Sequence, residues 1–131
     1  MLSYYTIATV LFCHWVFDFF LQTDEQAKGK SQENKWLLSH VKTYGLGLML
    51  IAILNMDLFV SFHLKGLLTL VNMLAFVGVN FALHFFTDYV TSRASSLLWK
   101  EGKVHDFFVT IGADQMIHYF TIFGTLIWIT Q

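Results

Sequence analysis

The sequence predicts an all-α fold, an integral membrane four-helix bundle, and three observations lead to this prediction. The chain has 131 residues, of which 56% are hydrophobic and only 13% are charged, about half the charged share of a typical soluble domain. A soluble protein this small cannot bury so much apolar surface. Four apolar runs, each roughly 20 residues long, are long enough to cross a bilayer as helices. The formal net charge of −1 argues against a nucleic-acid-binding protein, which would carry a basic patch.

The predicted spans follow one another with short connections and form a single transmembrane domain over residues 1–131. The first span is not a cleavable signal peptide, because it has no basic start and no small-residue cleavage site. The connections leave no room for a soluble catalytic domain, so any chemistry must take place in the bundle or at its edges. In chain order the predicted spans are Ser3–Leu21, Trp36–Met56, Leu67–Tyr89 and Phe107–Ile129.

The basic residues predict the orientation of the bundle. They concentrate in the connections 22–35 and 90–106, whereas the second connection has only Lys65 and neither terminus has any. Basic connections stay in the cytoplasm by the positive-inside rule, which places both termini outside. We therefore expect a multi-pass protein of a bacterial inner membrane, surrounded by the lipid bilayer. A homodimer is one possible assembly. The residues that decide the orientation are Lys28, Lys30, Lys35, Arg93, Lys100 and Lys103.

The third connection allows two interpretations. Leu97, Leu98 and Trp99 stand beside basic residues, which is typical of a short helix lying on the membrane interface. The same residues also fit an extension of the third span that stops at Gly102. Small residues within the spans are expected to permit close approach of neighbouring helices. These residues are Gly45, Gly47, Gly78 and Gly124.

Polar residues recur inside the predicted spans, although a charged Asp at a helix centre costs at least ~2.5–3.5 kcal/mol. They are spaced by four, which puts neighbours on one helix face, one turn apart. Such stripes turn toward the bundle interior, because lipid cannot satisfy their hydrogen bonds. The stripes are His14, Asp18 and Gln22 in the first span; His40 and Tyr44 in the second; Asn80, His84 and Asp88 in the third; and Thr110, Asp114 and His118 in the fourth.

The predicted orientation places the histidines and aspartates of these stripes at one depth. His14 and Asp18 lie in the inner half of the first span, because that span enters from the outside. The other spans bring their residues to the same half, with His118 near the midplane. We therefore expect seven residues to converge on the cytoplasmic leaflet as one site: His14, Asp18, His40, His84, Asp88, Asp114 and His118.

These residue types predict a metal site. Imidazole and carboxylate groups are ligands of Zn, Mn and similar divalent ions, and helix bundles build two-metal sites from such stripes. The seven residues are predicted ligands of a divalent metal, Zn or Mn, with enough groups for two ions; His40 is either the seventh ligand or a residue that orients another ligand. Asp18, Asp88 and Asp114 are the predicted catalytic groups, since a carboxylate not used as a ligand can act as a general base. Substrate-binding roles are predicted for Gln22, Lys28, Lys30 and Gln115.

Three functions are compatible with this pattern. The first is a membrane-embedded, metal-dependent hydrolase that acts on a lipid or a phosphate-bearing amphiphile from the cytoplasmic leaflet. The second is a transporter or relay for protons or metal ions, which needs access from both faces, although the outer halves of the spans carry few polar residues. The third is a non-catalytic bacterial or phage membrane module that acts through a partner.

Several motifs occur in order along the chain: His14-x3-Asp18-Phe19-x-Leu21-Gln22-Thr23-Asp24, then Lys30, Leu38-Ser39-His40, His84-x3-Asp88 and Asp114-Gln115-x2-His118. With this order and spacing the chain resembles, over nearly its whole length, the domain-of-unknown-function 3307 family of small bacterial and phage integral membrane proteins. The resemblance implies a small multi-span helical membrane protein and implies no activity. A looser similarity to small membrane proteins called metal-dependent hydrolases slightly favours the hydrolase hypothesis.

Overall fold

The computed structural model describes residues 2–60 and 67–130, and this part of the chain is helical, without strands. The all-α class predicted from the sequence is therefore confirmed. Lys65, the basic residue of the second connection, lies outside the described residues. In chain order the elements are α1 (Tyr4–Trp15), a π-helical segment (Val16–Phe20), α2 (Asp24–Gly29), α3 (Asn34–Leu54), α4 (Met56–Phe59), α5 (Leu67–Lys100) and α6 (Val104–Thr130).

Local signals set the starts of the first helices. Ser3 caps α1, because its hydroxyl accepts a hydrogen bond from the backbone N–H of Thr6 at 3.0 Å. Thr23 and Gln26 form a reciprocal capping box at the start of α2, with bonds of 3.0 and 3.3 Å. The Gln26 amide also donates to the hydroxyl of Ser39 at 3.0 Å. These contacts tie α2 and the first connection against the start of α3.

α3 is the central helix of the described fold. α1, the π segment, α2 and α5 all pack against α3, and α6 packs mainly against α5. The apolar core lies between α1, α3, α5 and α6, toward the end of the bundle opposite α2. Five of its side chains have no exposed surface: Val10, Leu48, Phe76, Ile122 and Leu126.

α5 decides between the two interpretations of the third connection. It runs without interruption from Leu67 to Lys100, so the third span continues as one helix and no separate interfacial helix forms there. Its 34 residues correspond to about 51 Å at 1.5 Å per residue, well beyond the ~30 Å thickness of a hydrocarbon core. Gly102 follows with a φ of +72°, a conformation that glycine adopts without strain, and the chain turns there into α6.

Two described helices are long and apolar enough to cross a membrane, Asn34–Leu54 and Thr69–Lys100. α1 and the π segment together make a shorter apolar helix, Tyr4–Phe20. α6 is long, but Asp114 and His118 interrupt its apolar sequence. A helix therefore occupies each of the four predicted spans, and two of these helices have the length and composition of a membrane span.

Two of the glycines expected at close helix approaches lie at such contacts. A Cβ atom at Gly47 would come within 2.6 Å of Cγ of Phe17, on the π segment, and one at Gly45 would come within 3.2 Å of an aromatic ring on α5. The expectation is wrong for Gly78 and Gly124, where a Cβ atom would meet nothing within 4 Å. Both of these glycines face the open outer surface of the bundle.

Candidate metal centre

Five helical segments bring the seven predicted ligands into a single cluster. α1, the π segment and α3 contribute one residue each, and α5 and α6 contribute two each. Six of the seven are at most 3% exposed, and Asp114 is partly buried. The spacing by four aims both polar residues of a stripe at the bundle interior, as expected. The cluster consists of His14, Asp18, His40, His84, Asp88, Asp114 and His118.

Asp18, His40, His84 and Asp88 form the most compact group. Nε2 of His40 lies 3.1 Å from Oδ1 of Asp18, 3.3 Å from Oδ2 of Asp88 and 3.2 Å from Nε2 of His84. Nε2 of His84 lies 3.5 Å from Oδ1 of Asp18 and 3.7 Å from Oδ2 of Asp88. One ligand atom from each residue is within 4.8 Å of all the others. These four residues could therefore hold a metal ion between them.

The distances within this group match the spacing of ligands around one ion. Ligand atoms about 2.0–2.2 Å from a tetrahedral Zn²⁺ lie roughly 3.3–3.6 Å from one another. Hydrogen bonds alone would satisfy the polar atoms of this group less well than a metal ion would, because a neutral imidazole carries only one N–H proton. Nε2 of His40 faces two carboxylate oxygens and a second imidazole nitrogen, so one proton cannot serve all three neighbours. A shared cation would serve them together.

A second group of potential ligands shares Asp18 with the first. Asp18, Asp114 and His118 also bring one ligand atom each within 4.8 Å of the others. Nε2 of His118 lies 3.3 Å from Oδ2 of Asp114 and 3.1 Å from Oδ1 of Asp88. The two groups are therefore neighbours: Asp18 belongs to both, and Asp88 of the first contacts His118 of the second. Helix bundles build two-metal sites from carboxylates and histidines on facing helices in this way.

His14 lies at the edge of the cluster, outside both groups of potential ligands. Its Nε2 atom is 2.8 Å from Oε1 of Gln115 and 3.6 Å from Oδ2 of Asp18. Its Nδ1 atom is 3.2 Å from the Tyr44 hydroxyl. Both ring nitrogens have protein partners, and His14 is not among the residues whose ligand atoms converge in either group.

Gln115 connects the aspartates of the second group. Its amide nitrogen donates to Oδ2 of Asp18 at 3.1 Å and to Oδ2 of Asp114 at 3.0 Å, while its oxygen accepts from His14. The sequence predicted a substrate-binding role for Gln115. In the structure its amide lines the neighbouring cavity, but its hydrogen-bonding groups are engaged within the cluster.

Two residues outside the ligand groups hold the imidazoles of the first group in place. Nε2 of Gln22 lies 2.9 Å from Nδ1 of His40, on the side of the ring that faces away from the cluster. The ring of Tyr44 stacks on His84 with their centroids 3.7 Å apart. Contacts of this kind orient metal-binding histidines and tune their basicity. Gln22 and Tyr44 both belong to the polar stripes of the sequence.

The π-helical segment determines how Asp18 enters the cluster. The N–H of Leu21 bonds to the carbonyl of Val16, five residues back, at 2.9 Å. This wider turn occurs mostly as a single insertion in an α-helix, often at functional sites. The segment packs on α3 and leaves Asp18 only 3% exposed.

The two lysines predicted to bind substrate have different surroundings. Nζ of Lys30 donates to Oδ2 of Asp88 at 2.8 Å, and the Lys30 side chain is only 19% exposed. Burial opposes its charge, but the carboxylates of Asp88 and Asp18 outweigh burial and raise the pKa of the Lys30 ammonium above its ordinary value. Lys28 is 77% exposed and pairs with Asp24 at 3.0 Å. Of the two lysines, Lys30 alone reaches the cluster.

A cavity of about 610 Å³ opens beside the cluster. Asp18, Asp114 and Gln115 reach its lining from the cluster side. The polar part of the lining includes Gln22, Lys28, Lys30, Ser31, Ser92 and Ser95. The apolar part consists mainly of Phe19, Trp99, Phe107, Phe108 and Ile111. The cavity therefore offers hydroxyl and ammonium groups beside aromatic rings.

The cavity also shows how the two basic connections are arranged. Lys28 and Ser31 come from the first connection, and Trp99 and Phe107 lie on either side of the turn between α5 and α6. Both connections therefore meet at one end of the described bundle. The guanidinium of Arg93 donates to the side-chain oxygen of Asn34 at 2.9 Å, which joins the end of α5 to the start of α3.

Sequence reasoning missed the hydroxyl-bearing face of α5. Thr91 donates to Oδ1 of Asp114 at 2.6 Å, and Ser92 and Ser95 line the cavity. The hydroxyl of Ser92 is buried and has no hydrogen-bond partner among the described residues. The signal was present, because Thr91 and Ser95 continue the spacing of three and four residues that begins at Asp88.

No protein-family model, curated protein or solved structure matches this chain. Any assignment of function therefore rests on the residues of the cluster and the cavity beside it. The resemblance to the domain-of-unknown-function 3307 family stays a prediction.

Proposed function

We propose that this chain is a membrane-embedded, metal-dependent hydrolase that binds Zn or Mn in its His/Asp cluster and acts on a lipid or a phosphate-bearing amphiphile. The observation that carries the proposal is the convergence of Asp18, His40, His84 and Asp88 at ligand spacing in a buried position. Burying several carboxylates is costly unless a cation compensates their charge. A divalent ion would offset this cost and use every ligand atom of the group.

The residues of the cluster have distinct proposed roles. The four residues of the first group hold one ion, and Asp18, Asp114 and His118 hold a second. A metal bound here would supply Lewis acidity for hydrolysis. Where only the first group holds an ion, Asp114 is the proposed general base, because it lines the cavity and its side chain is 13% exposed, compared with 1% for Asp88. Where a second ion is bound, Asp114 is one of its ligands instead. Thr91 and Gln115 orient its two oxygens.

The chemistry of the cavity supports an amphiphilic substrate. Lys28 and Lys30 bring positive charge to the lining, which favours a phosphate or another anionic headgroup. The hydroxyls of Ser92 and Ser95 can hydrogen-bond the polar part of such a headgroup. Phe19, Trp99 and Phe108 offer apolar contact at the same opening, and Trp99 and Phe108 are 59% and 62% exposed. An apolar chain could therefore remain in the surrounding lipid while the headgroup enters the cavity.

The outer surface of the described bundle supports its proposed location in a membrane. Phe12, Phe86, Phe120 and Trp128 are 65–71% exposed, and they lie on three different helices. Soluble monomers rarely expose large contiguous apolar patches, whereas lipid would cover them. The basic connections lie at the cavity end of the bundle, so the positive-inside rule favours access from the cytoplasmic leaflet. Membership of the domain-of-unknown-function 3307 family is part of this proposal.

The apolar core argues against a relay across the whole bundle. A relay needs polar groups or water along a continuous path. Beyond the cluster, Leu48, Phe76, Ile122 and Leu126 are fully buried and pack together. Among the described residues the cavity opens at the other end, beside the first connection and the α5–α6 turn. A site reached from one side fits a hydrolase better than a transporter.

The proposal is tested by measuring metal and activity on the full chain purified in mild detergent. We expect at least one equivalent of Zn or Mn per chain and slow release of phosphate from a lipid phosphomonoester. The Asp18→Asn variant should lose most of the metal, because Asp18 belongs to both ligand groups, and a weakening of ~100-fold or more is expected from loss of a ligand and its charge. Asp106→Asn is the matched control, since Asp106 is exposed on α6.

Two results would reject the metal site, and a third would reject the hydrolase alone. The first is a purified chain that holds no metal and takes up neither added Zn nor added Mn. The second is an Asp18→Asn variant that binds metal as tightly as Asp106→Asn and the wild type. Metal binding without hydrolysis of any lipid phosphate would retain the metal site and reject the hydrolase.

A further inference from the structure

The ammonium of Lys30 contacts a carboxylate oxygen that the candidate metal site would use as a ligand. Its ammonium lies 2.8 Å from Oδ2 of Asp88, and the same oxygen lies 3.3 Å from His40 and 3.7 Å from His84. This oxygen is the one that Asp88 directs toward the first ligand group. An ion bound by that group and the ammonium of Lys30 would therefore be held by the same carboxylate oxygen.

The charges of the cluster make this overlap important. Asp18, Asp88 and Asp114 bring three carboxylates together, and the ammonium of Lys30 forms an ion pair with Asp88. Lys30 thus provides part of the positive charge that a divalent ion would otherwise provide. Two cations so close to one oxygen would repel each other strongly in a buried position.

The position of Lys30 in the chain allows it to leave Asp88 without disturbing a long helix. Lys30 is the C-terminal cap of α2, in the first connection, and its side chain borders the cavity. A lysine has a flexible four-carbon stem, so its ammonium can turn from Asp88 into the cavity. The N–H of Lys30 bonds to the carbonyl of Gln26 at 3.0 Å, and rotation of the side chain does not require this bond to break.

We propose that Lys30 is an internal cation that competes with the divalent metal for Asp88, and that this competition sets the metal affinity of the cluster. The inference rests on the proposed metal site and adds a residue that controls it. Lys30 must release Asp88 before the first ligand group can close around an ion. Removing its charge should therefore strengthen metal binding, which is the opposite of the effect expected for a residue that only supports the fold.

The test is a Mn²⁺ titration of the full chain in lipid nanodiscs, followed by electron paramagnetic resonance, with the wild type and three variants. Lys30→Gln should bind Mn²⁺ about ten-fold or more tightly than the wild type, because a buried positive charge beside the ligands is gone. Lys30→Arg keeps the charge and should bind no more tightly than the wild type. Lys35→Gln is the matched control, since Lys35 lies at the start of α3, is 65% exposed and pairs with Glu33 at 2.8 Å, and its affinity should not change.

The outcomes separate this inference from the proposed function. If the wild type and Lys35→Gln bind neither Mn²⁺ nor Zn²⁺, the metal site itself is wrong. If they bind and Lys30→Gln binds equally or more weakly, the site stands and competition by Lys30 is rejected. Lys30→Gln could also unfold without metal, since Asp88 then lacks its cation. In that case saturating Mn²⁺ should restore folding, and a variant that stays unfolded with Mn²⁺ would also reject the competition.

Discussion

Asp18 and Asp88 are the residues on which the cluster depends most. Oδ1 of Asp18 faces His40, while its Oδ2 accepts from Gln115. Oδ2 of Asp88 faces His40 and Lys30, while its Oδ1 accepts from His118. Asp88 thus contacts a histidine of each ligand group with a different oxygen, and Asp18 is itself a member of both groups. Substitutions at these two positions should therefore be strongly non-additive with substitutions of the histidines.

Gln22 offers a residue-scale prediction about how His40 is held. A histidine that binds metal through Nε2 must donate its remaining proton from Nδ1, and Gln22 can accept it by turning its amide oxygen toward the ring. Gln22→Leu should weaken metal binding by ~10–100-fold and leave helix content unchanged, as measured by metal titration and circular dichroism. Gln22→Glu should restore the affinity, because a carboxylate is also an acceptor.

Gln32→Leu is the control for this prediction, since Gln32 lines the cavity and is exposed. It should leave the metal affinity unchanged. If Gln22→Leu binds metal like Gln32→Leu, the contact between Gln22 and His40 has no role in metal binding. If Gln22→Glu fails to restore affinity while keeping the fold, the acceptor role is wrong.

At the residue scale, spacing in the sequence predicts which side chains share a face and does not predict their mutual distances. His14 and Asp18 lie one turn apart and both point inward, as expected, yet His14 ends up outside both ligand groups. Lys28 and Lys30 are two residues apart in the same connection, but Lys30 alone turns toward Asp88. These outcomes depend on how the helices rotate against one another, which requires the packed structure.

Gly47 shows how one element positions the cluster. α3 lies so close to the π segment that a Cβ atom at Gly47 would clash with Cγ and Cβ of Phe17 at 2.6 and 2.7 Å. Phe17 precedes Asp18, so a displaced π segment would carry this carboxylate away from His40. We predict that Gly47→Ala destabilises the protein by about 1–3 kcal/mol, the usual cost of overpacking, and lowers the metal affinity.

Gly112→Ala is the matched control, because a Cβ atom at Gly112 would meet nothing within 4 Å. Alanine there should stabilise α6 by up to about 1 kcal/mol through its higher helix propensity and leave metal binding unchanged. Thermal unfolding of both variants in the same detergent, followed by circular dichroism, measures the difference. Equal unfolding midpoints for Gly47→Ala and Gly112→Ala would show that the close contact between α3 and the π segment is not formed.

At the scale of elements, the sequence predicted where helices lie better than how they end. The apolar runs coincide with α1, α3, α5 and α6, because length and composition are properties of each run alone. The sequence alone did not distinguish a continuation of α5 to Lys100 from a separate interfacial helix, because a basic segment that contains Trp is compatible with both structures. The π turn at Val16–Phe20 leaves no compositional signal, because it depends on a choice of hydrogen-bond partner within an apolar run.

At the scale of the whole molecule, the described bundle has two unlike ends. One end contains the cluster, the cavity and both basic connections. The other contains the apolar core and leads toward the second connection. Polar groups and charge are thus gathered at one depth along the helices, which the sequence predicted from the combination of spacing and orientation. This asymmetry agrees with the proposed membrane site, which is open to one leaflet only.

The asymmetry leads to a prediction for the topology of the whole chain. If the cavity opens to the cytoplasm, the α5–α6 turn lies inside and the end of α6 lies outside. A reporter fused after Gln131 should therefore be active only as a periplasmic fusion, and one fused after Lys103 only as a cytoplasmic fusion. The Lys103 fusion serves as the internal control, because both fusions share α1 to α5.

A cytoplasmic Gln131 fusion together with a periplasmic Lys103 fusion would show that the bundle has the opposite orientation. The proposed substrate would then enter from the outer leaflet. The same location for both fusions would show that α6 does not cross the membrane and that the four-span arrangement is wrong.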